Sequence, residues 1–203
     1  MHDEILDEKQ VKLLPLIAEF GPKFGLVGGT AIALHLGHRR SIDFDLFTLK
    51  DFDTDEISAV VRQKHAIQNV FVKNPNEFTI LVDGVKVTFC KYPFNIDFTF
   101  PFTDSLKLPD LKTLGAMKAF ALGKRAKWKD YVDLYFIFKK HSLKDISDEA
   151  EKLFSGEFNE KLFREQLSYF TDIDHTEKII YLKGFDVPDT EIEKSLIENS
   201  LKK

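Results

Sequence analysis

GGTAIALHLGHRRSIDFDLF, residues 28–47, decides how this chain is read. Gly28-Gly29 follows the short apolar run from Phe24 to Val27, the pattern of a buried strand meeting a tight turn. Residues 30–37 are good helix formers, with Thr30 placed to cap them. Ile42 to Phe47 then alternates apolar and acidic with period two, which predicts a strand with Ile42, Phe44 and Leu46 in the core. Asp43 and Asp45, at i and i+2, leave its other face together. Two carboxylates held so close repel one another, and a divalent cation relieves the repulsion. Mg²⁺ suits such a pair, with Mn²⁺ as the alternative, because it takes one or two carboxylates plus substrate phosphates and water. Glycines at the opening of a helix let phosphates approach free backbone N–H groups at the positive end of the dipole. Thirteen residues lie between Gly29 and Asp43, enough for a short helix and a return to a neighbouring strand. A phosphate cradle and a metal-binding pair would then share one cleft, a site for a nucleoside triphosphate with Mg²⁺.

Working outward, residues 4–20 carry helical spacing, with Pro15 expected to kink or split the helix. Asp53 and Glu56 make a capping-box pattern ahead of a helix over about 54–65. FTILVDGVKVTF, residues 78–89, is a hairpin with Asp83-Gly84 at the turn. Its face pairs are Phe78 with Phe89, Ile80 with Val87 and Val82 with Val85. Residues 92–109 read as irregular, with one short strand at 96–100, and helices are expected over about 110–124, about 127–140 and two or three times more in 141–203. The fold class is α+β: a small mixed sheet flanked by helices, with a C-terminal helical region and a soft boundary near residue 141.

Composition narrows the function classes. A net charge of −4 over 203 residues excludes a general polycation for nucleic acid, leaving only a local basic groove. Hydrophobic residues make up 43% of the chain and 20 residues are Phe, so an aromatic-rich core is expected. Cys90 is the one cysteine, which rules out an internal disulfide and a cysteine-based zinc site. The acidic start MHDEILDEKQ does not read as a signal peptide, and no apolar run has the length of a membrane span, so a cytoplasmic protein is expected.

The combination Gly28-Gly29-Thr30, His38-Arg39, Ser41, Asp43-Phe44-Asp45 and Leu46-Phe47 resembles the first motif of the AbiEii/AbiGii toxin family of nucleotidyltransferases, in the DNA polymerase β-like superfamily. Residues 109–136, PDLKTLGAMKAFALGKRAKWKDYVDLYF, resemble its second motif through Lys118, Arg125, Lys129, Asp130 and Asp133, and the hairpin GVKVTFCKYPF also looks like the family. The resemblance covers about residues 24–140 and implies a nucleotidyltransferase core over 1–140 with a helical region after it. It implies transfer of a nucleoside monophosphate from an NTP to an acceptor hydroxyl, tRNA in some members, by the toxin of a toxin–antitoxin or phage-defence pair with a cognate antitoxin protein. Asp43 and Asp45 would hold the metal, Gly28, Gly29 and Thr30 the phosphates, with Arg39 and Ser41 at the nucleotide, and Lys118 and Asp130 would join the catalytic set.

Alternatives accompany each assignment. Arg39 could brace its loop by pairing with an aspartate, and Asp130 and Asp133 could form a structural ion-pair network with Arg125, Lys127 or Lys129. Many superfamily members carry a third carboxylate on the strand beside Asp-x-Asp. Here that face offers Lys86, Thr88 and Cys90, with Asp97 or Asp130 as substitutes. A non-catalytic nucleotide-binding protein acting through a partner, and a metal-dependent nuclease, are the rival functions. A local RNA groove would have Arg39, Arg40, Lys118, Lys124, Arg125, Lys127 and Lys129 as its wall.

Overall fold

A computed structural model of the chain describes residues 1–122 and 124–202. It divides into two compact units, Met1–Asp110 and Leu111–Lys203, so the soft boundary near 141 falls inside the second.

The first unit is built on a mixed five-stranded sheet. Its strands are β1 (Gly25–Val27), β2 (Phe44–Thr48), β3 (Ile67–Lys73), β4 (Glu77–Val82) and β5 (Val85–Lys91), in the order β1-β2-β5-β4-β3. β2 and β5 run parallel and the other neighbours antiparallel. The β4–β5 hairpin has the expected register, Phe78 opposite Phe89, Ile80 opposite Val87 and Val82 opposite Val85. Its turn works because Asp83 and Gly84 both take positive φ, 50° and 78°, the combination a two-residue turn needs to match strand twist. All six paired residues are buried. Phe20 and Phe24 close the core edge-on against Phe89, with ring centroids 4.8 and 5.3 Å away.

Three helices complete this unit: α1 (Glu8–Glu19), α2 (Gly28–Leu36) and α3 (Thr54–Arg62). α1 runs straight through Pro15; the break falls earlier, where Asp7 caps the helix in a reciprocal box with Gln10. Pro15 is tolerated because it lies on the exposed side, along with Val11, whose carbonyl it cannot meet and which water can reach. Asp53 caps α3 through the Asp55 N–H, while Glu56 points to Lys23 instead of closing the box. The short strand expected at 96–100 is displaced: Phe100–Pro101 (β6) pairs with Lys107–Leu108 (β7). β3 was not expected at all. It is an edge strand, largely exposed, whose register slips between Ile67 and Asn69 and again between Val70 and Val72, so no period-two pattern survives.

The second unit is helical: α4 (Leu111–Leu122), α5 (Trp128–Ile137), α6 (Leu143–Phe154), α7 (Glu160–Gln166) and α8 (Asp189–Leu201). Phe120 stacks on Phe154, centroids 4.1 Å apart, joining α4 to α6. Tyr135 donates its hydroxyl to Glu191 at 2.7 Å, tying α5 to α8. Among the described residues no helix is long and apolar enough to cross a membrane.

Candidate active site

β1 ends at Val27 and the chain enters α2 directly. Val27 pairs with Asp45 across the strands, so Gly28 emerges beside that carboxylate. Gly28 has φ +73°, and a Cβ there would lie 2.2 Å from Asp45 Oδ2. Only glycine fits: the backbone is left-handed and the space belongs to the carboxylate. Val27, the residue before the helix, gives α2 no side-chain cap. Thr30, expected as the cap, is instead inside the first turn, and its hydroxyl donates to the Asp43 carbonyl. The bond ties the first turn of α2 to the residue just before β2.

Asp43 stands just before β2 rather than within it, and Ile42 is 59% exposed, contrary to its expected place in the core. The strand pattern starts only at Phe44, because the backbone preceding it is still coming off the Arg39–Ser41 loop. Phe44 and Leu46 are fully buried, and Asp45 and Phe47 take the opposite, partly open face. The next strand places Thr88 beside Asp45 and sets Lys86 Nζ 2.8 Å from Asp43 Oδ2. A cation, not an acid, therefore faces Asp43 from the neighbouring strand. Burial, followed by the charges of Glu77 and Asp45, pushes the Cys90 thiol up to about 11, so it is protonated at neutral pH. Asp97 is exposed, and among the described residues no cluster of three or more His, Cys, Asp or Glu could hold a metal.

The His38–Ser41 loop is not exposed. His38 is fully buried and Arg39 is 4% exposed. Arg39 Nη2 and Ser41 Oγ crowd Gly29, at 2.7 and 3.0 Å from where a Cβ would lie. Arg39 also donates to the Arg40 carbonyl at 2.9 Å. The guanidinium therefore braces the loop against the floor of the cradle. Gly28, Gly29, Thr30, Arg39, Ser41, Asp43 and Asp45 form one continuous group. Two hard carboxylates beside a glycine turn are of the chemistry that suits Mg²⁺, with the Lys86 ammonium now on Asp43 Oδ2 as the charge such a cation would replace.

Within the second unit, Lys118 and Asp130 form a buried cluster. Lys118 Nζ hydrogen-bonds Asp130 Oδ1 and lies 3.0 Å from Asp133 Oδ2, while Arg125 Nε donates to Asp130 Oδ2 at 3.0 Å. Burial pushes the Asp130 carboxyl up, but Lys118 and then Arg125 outweigh it and hold it below its ordinary value. Lys127 and Lys129 are directed elsewhere, to Glu177, whose carboxyl they pull down to about 2 against the opposing effect of burial. The expected basic wall is largely engaged: Arg40 donates to the Leu6 carbonyl at 3.1 Å and Lys124 lies 3.8 Å above the Phe120 ring. Sequence patterns could not reveal Lys86 as a partner of Asp43, because nothing local to either strand specifies their pairing.

Comparison with known proteins bears on the family and the fold. The family model "Nucleotidyl transferase AbiEii toxin, Type IV TA system" matches residues 16–183. An uncharacterized protein of Aquifex aeolicus (strain VF5) is 29% identical over 180 residues, covering 82% of this chain and 84% of its own. Among solved structures, the nucleotidyltransferase toxin MenT4 of Mycobacterium tuberculosis H37Rv has a TM-score of 0.61 at 12% identity, covering 93% of this chain and 82% of that one. JHP933 of Helicobacter pylori has a TM-score of 0.54 at 15% identity, covering 96% and 91%. At these identities the structural likeness is one of fold.

Proposed function

Because this chain belongs to the AbiEii nucleotidyl transferase toxin family, and is a nucleotidyltransferase on that ground, we propose that it moves a nucleoside monophosphate from an NTP to an RNA hydroxyl, tRNA being the leading acceptor. The observation that carries the reading is the opening of α2 at Gly28, whose left-handed backbone stands directly against the Asp45 carboxylate. Asp43 and Asp45 would hold Mg²⁺, which when bound would screen the phosphate charge. The backbone of Gly28, Gly29 and Thr30 holds the β- and γ-phosphates, Ser41 lies at the same turn, and Arg39 keeps that turn in shape. The acceptor oxygen bonds to the α-phosphorus, the α–β bridge breaks, and pyrophosphate leaves with the bonding pair while the hydroxyl proton passes to solvent. The family resemblance gives Lys118 and Asp130 a catalytic role; within the second unit they form a buried ion pair. The protein acts in the cytoplasm as the toxin of a pair, neutralised through a cognate antitoxin.

The test follows pyrophosphate release from each NTP with Mg²⁺ and total tRNA, then repeats the reaction with EDTA. Release that needs both RNA and the metal supports the reading. Release without RNA, or none with any NTP, defeats it.

A further inference from the structure

A cavity of about 420 Å³ opens in the first unit, lined by Phe47, Tyr92, Phe94 and Phe98 among others, with Lys50 and Lys107 at its walls. Its volume lies in the range of small-molecule sites, roughly 300–1,000 Å³. Nothing in the reading above uses it. Its position along the sheet is informative. Phe47 is two residues from Asp45 on the same face of β2, so along the strand this lining residue stands about 7 Å from Asp45. Gly25 pairs with Phe47 as Val27 pairs with Asp45, and the Phe98 ring lies on Gly25, 2.0 Å from where a Cβ would be. β1 therefore runs from the cavity to Asp45 and on to the Gly28–Gly29 turn. Cradle and cavity lie on opposite sides of the carboxylates.

That order has a chemical consequence. In nucleotidyl transfer the attacking and leaving oxygens lie roughly in line through the phosphorus. With pyrophosphate leaving toward Gly28 and Gly29, the acceptor hydroxyl must arrive from the Phe47 side. Phe47 and Tyr92 present tilted rings with centroids 4.8 Å apart, and Phe94 meets Tyr92 edge-on at 5.4 Å. The Tyr92 backbone is pinned by its N–H to the Thr48 carbonyl at 2.8 Å, which makes the platform rigid. Lys50 and Lys107 form no ion pair among the described residues and are available to backbone phosphates.

We infer that this aromatic cavity receives the unpaired terminal nucleobase of the acceptor strand, stacked on Tyr92 and Phe47 with its flanking phosphate on Lys50. The inference rests on the transfer reading above but is tested apart from it. The probe is a short single-stranded RNA ending in 2-aminopurine, whose fluorescence is quenched on stacking, alongside the same RNA ending in an abasic nucleotide. The intact chain should quench the first probe and bind the abasic one roughly ten-fold or more weakly. Tyr92→Ala and Phe94→Ala should remove the quench, Tyr92→Phe should keep it, and binding of a fluorescent NTP with Mn²⁺ should be unchanged in all three. Equal binding of abasic and complete RNA overturns the inference, as does a quench indifferent to Tyr92→Ala. So does loss of NTP binding in Tyr92→Ala, which would assign the cavity to the incoming nucleotide. A Tyr92-dependent quench without transfer from any NTP upholds the cavity and defeats the transfer reading; transfer without base dependence does the reverse.

Discussion

Lys118→Met removes a lysine that contacts two carboxylates with no exposed surface. Asp130 and Asp133 are both 0% exposed and Lys118 is 5% exposed. Taking away one partner of a buried pair leaves charge in a poor solvent and destabilises by about 3–5 kcal/mol, against at most about 1 for an exposed pair. Arg125 still holds Asp130 at 3.0 Å, though it is half exposed, so the lower end, about 3 kcal/mol, is expected. The pH dependence has a fixed sign. Asp130's native pKa is depressed, so its contribution is present above the unfolded carboxylate value and is lost as pH falls through the native one. Without Lys118 the depression of the Asp130 carboxyl weakens while burial still opposes its charge. The penalty should thus be largest near neutral pH and shrink as pH falls and Asp130 takes up a proton. Urea unfolding followed by fluorescence suits the test, because the single tryptophan, Trp128, is buried in α5 of the same unit. Lys118→Met/Asp133→Asn should recover part of the loss. A penalty below about 1 kcal/mol at pH 7.5, or one equal at pH 7.5 and 4.5, would refute the reasoning.

Three further outcomes follow from the first unit. Lys86→Met frees Asp43 Oδ2 from an ammonium 2.8 Å away. Mn²⁺ binding followed by electron paramagnetic resonance should tighten about two- to five-fold, the scale of a partly exposed pair; weaker binding would make Lys86 a support for Asp43 rather than a competitor. Gly28→Ala meets both a positive φ and Asp45 Oδ2 at 2.2 Å, so it should destabilise by at least about 1–2 kcal/mol in urea and abolish transfer; near-native activity would contradict the cradle geometry. Gly25→Ala drives a methyl into the Phe98 ring and should disturb the aromatic cavity while sparing Mn²⁺ binding, read by the 2-aminopurine quench and by resonance respectively.

The β4–β5 hairpin was legible residue by residue because its information is local: a two-residue turn fixes the register and alternation fixes the faces. The Gly28–Asp45 linkage was legible for a related reason, a strand, turn, helix and strand in unbroken succession. What the sequence hid was non-local or irregular. β3 slips register twice at a solvent-facing edge, and β6 pairs only two residues with β7, so neither leaves a periodic trace. A bracing role for Arg39 was one of two sequence readings, but its burial against Gly29, with its donation to the Arg40 carbonyl, appears only in the fold. Lys86 is seen facing Asp43 only once β2 and β5 are known to be parallel neighbours. The aromatic cavity draws on residues from 21 to 107, a span no motif encodes.

One measurement tests the central claim most directly: parallel incubation of the protein and RNA with α-labelled and γ-labelled NTP in Mg²⁺, beside the Asp43→Asn/Asp45→Asn variant. Label from the α position alone should enter RNA with the native protein, and none with the variant. Entry of γ-label would mean phosphoryl rather than nucleotidyl transfer, shortened RNA without NTP would mean a nuclease, and α-transfer surviving in the variant would remove Asp43 and Asp45 from the chemistry.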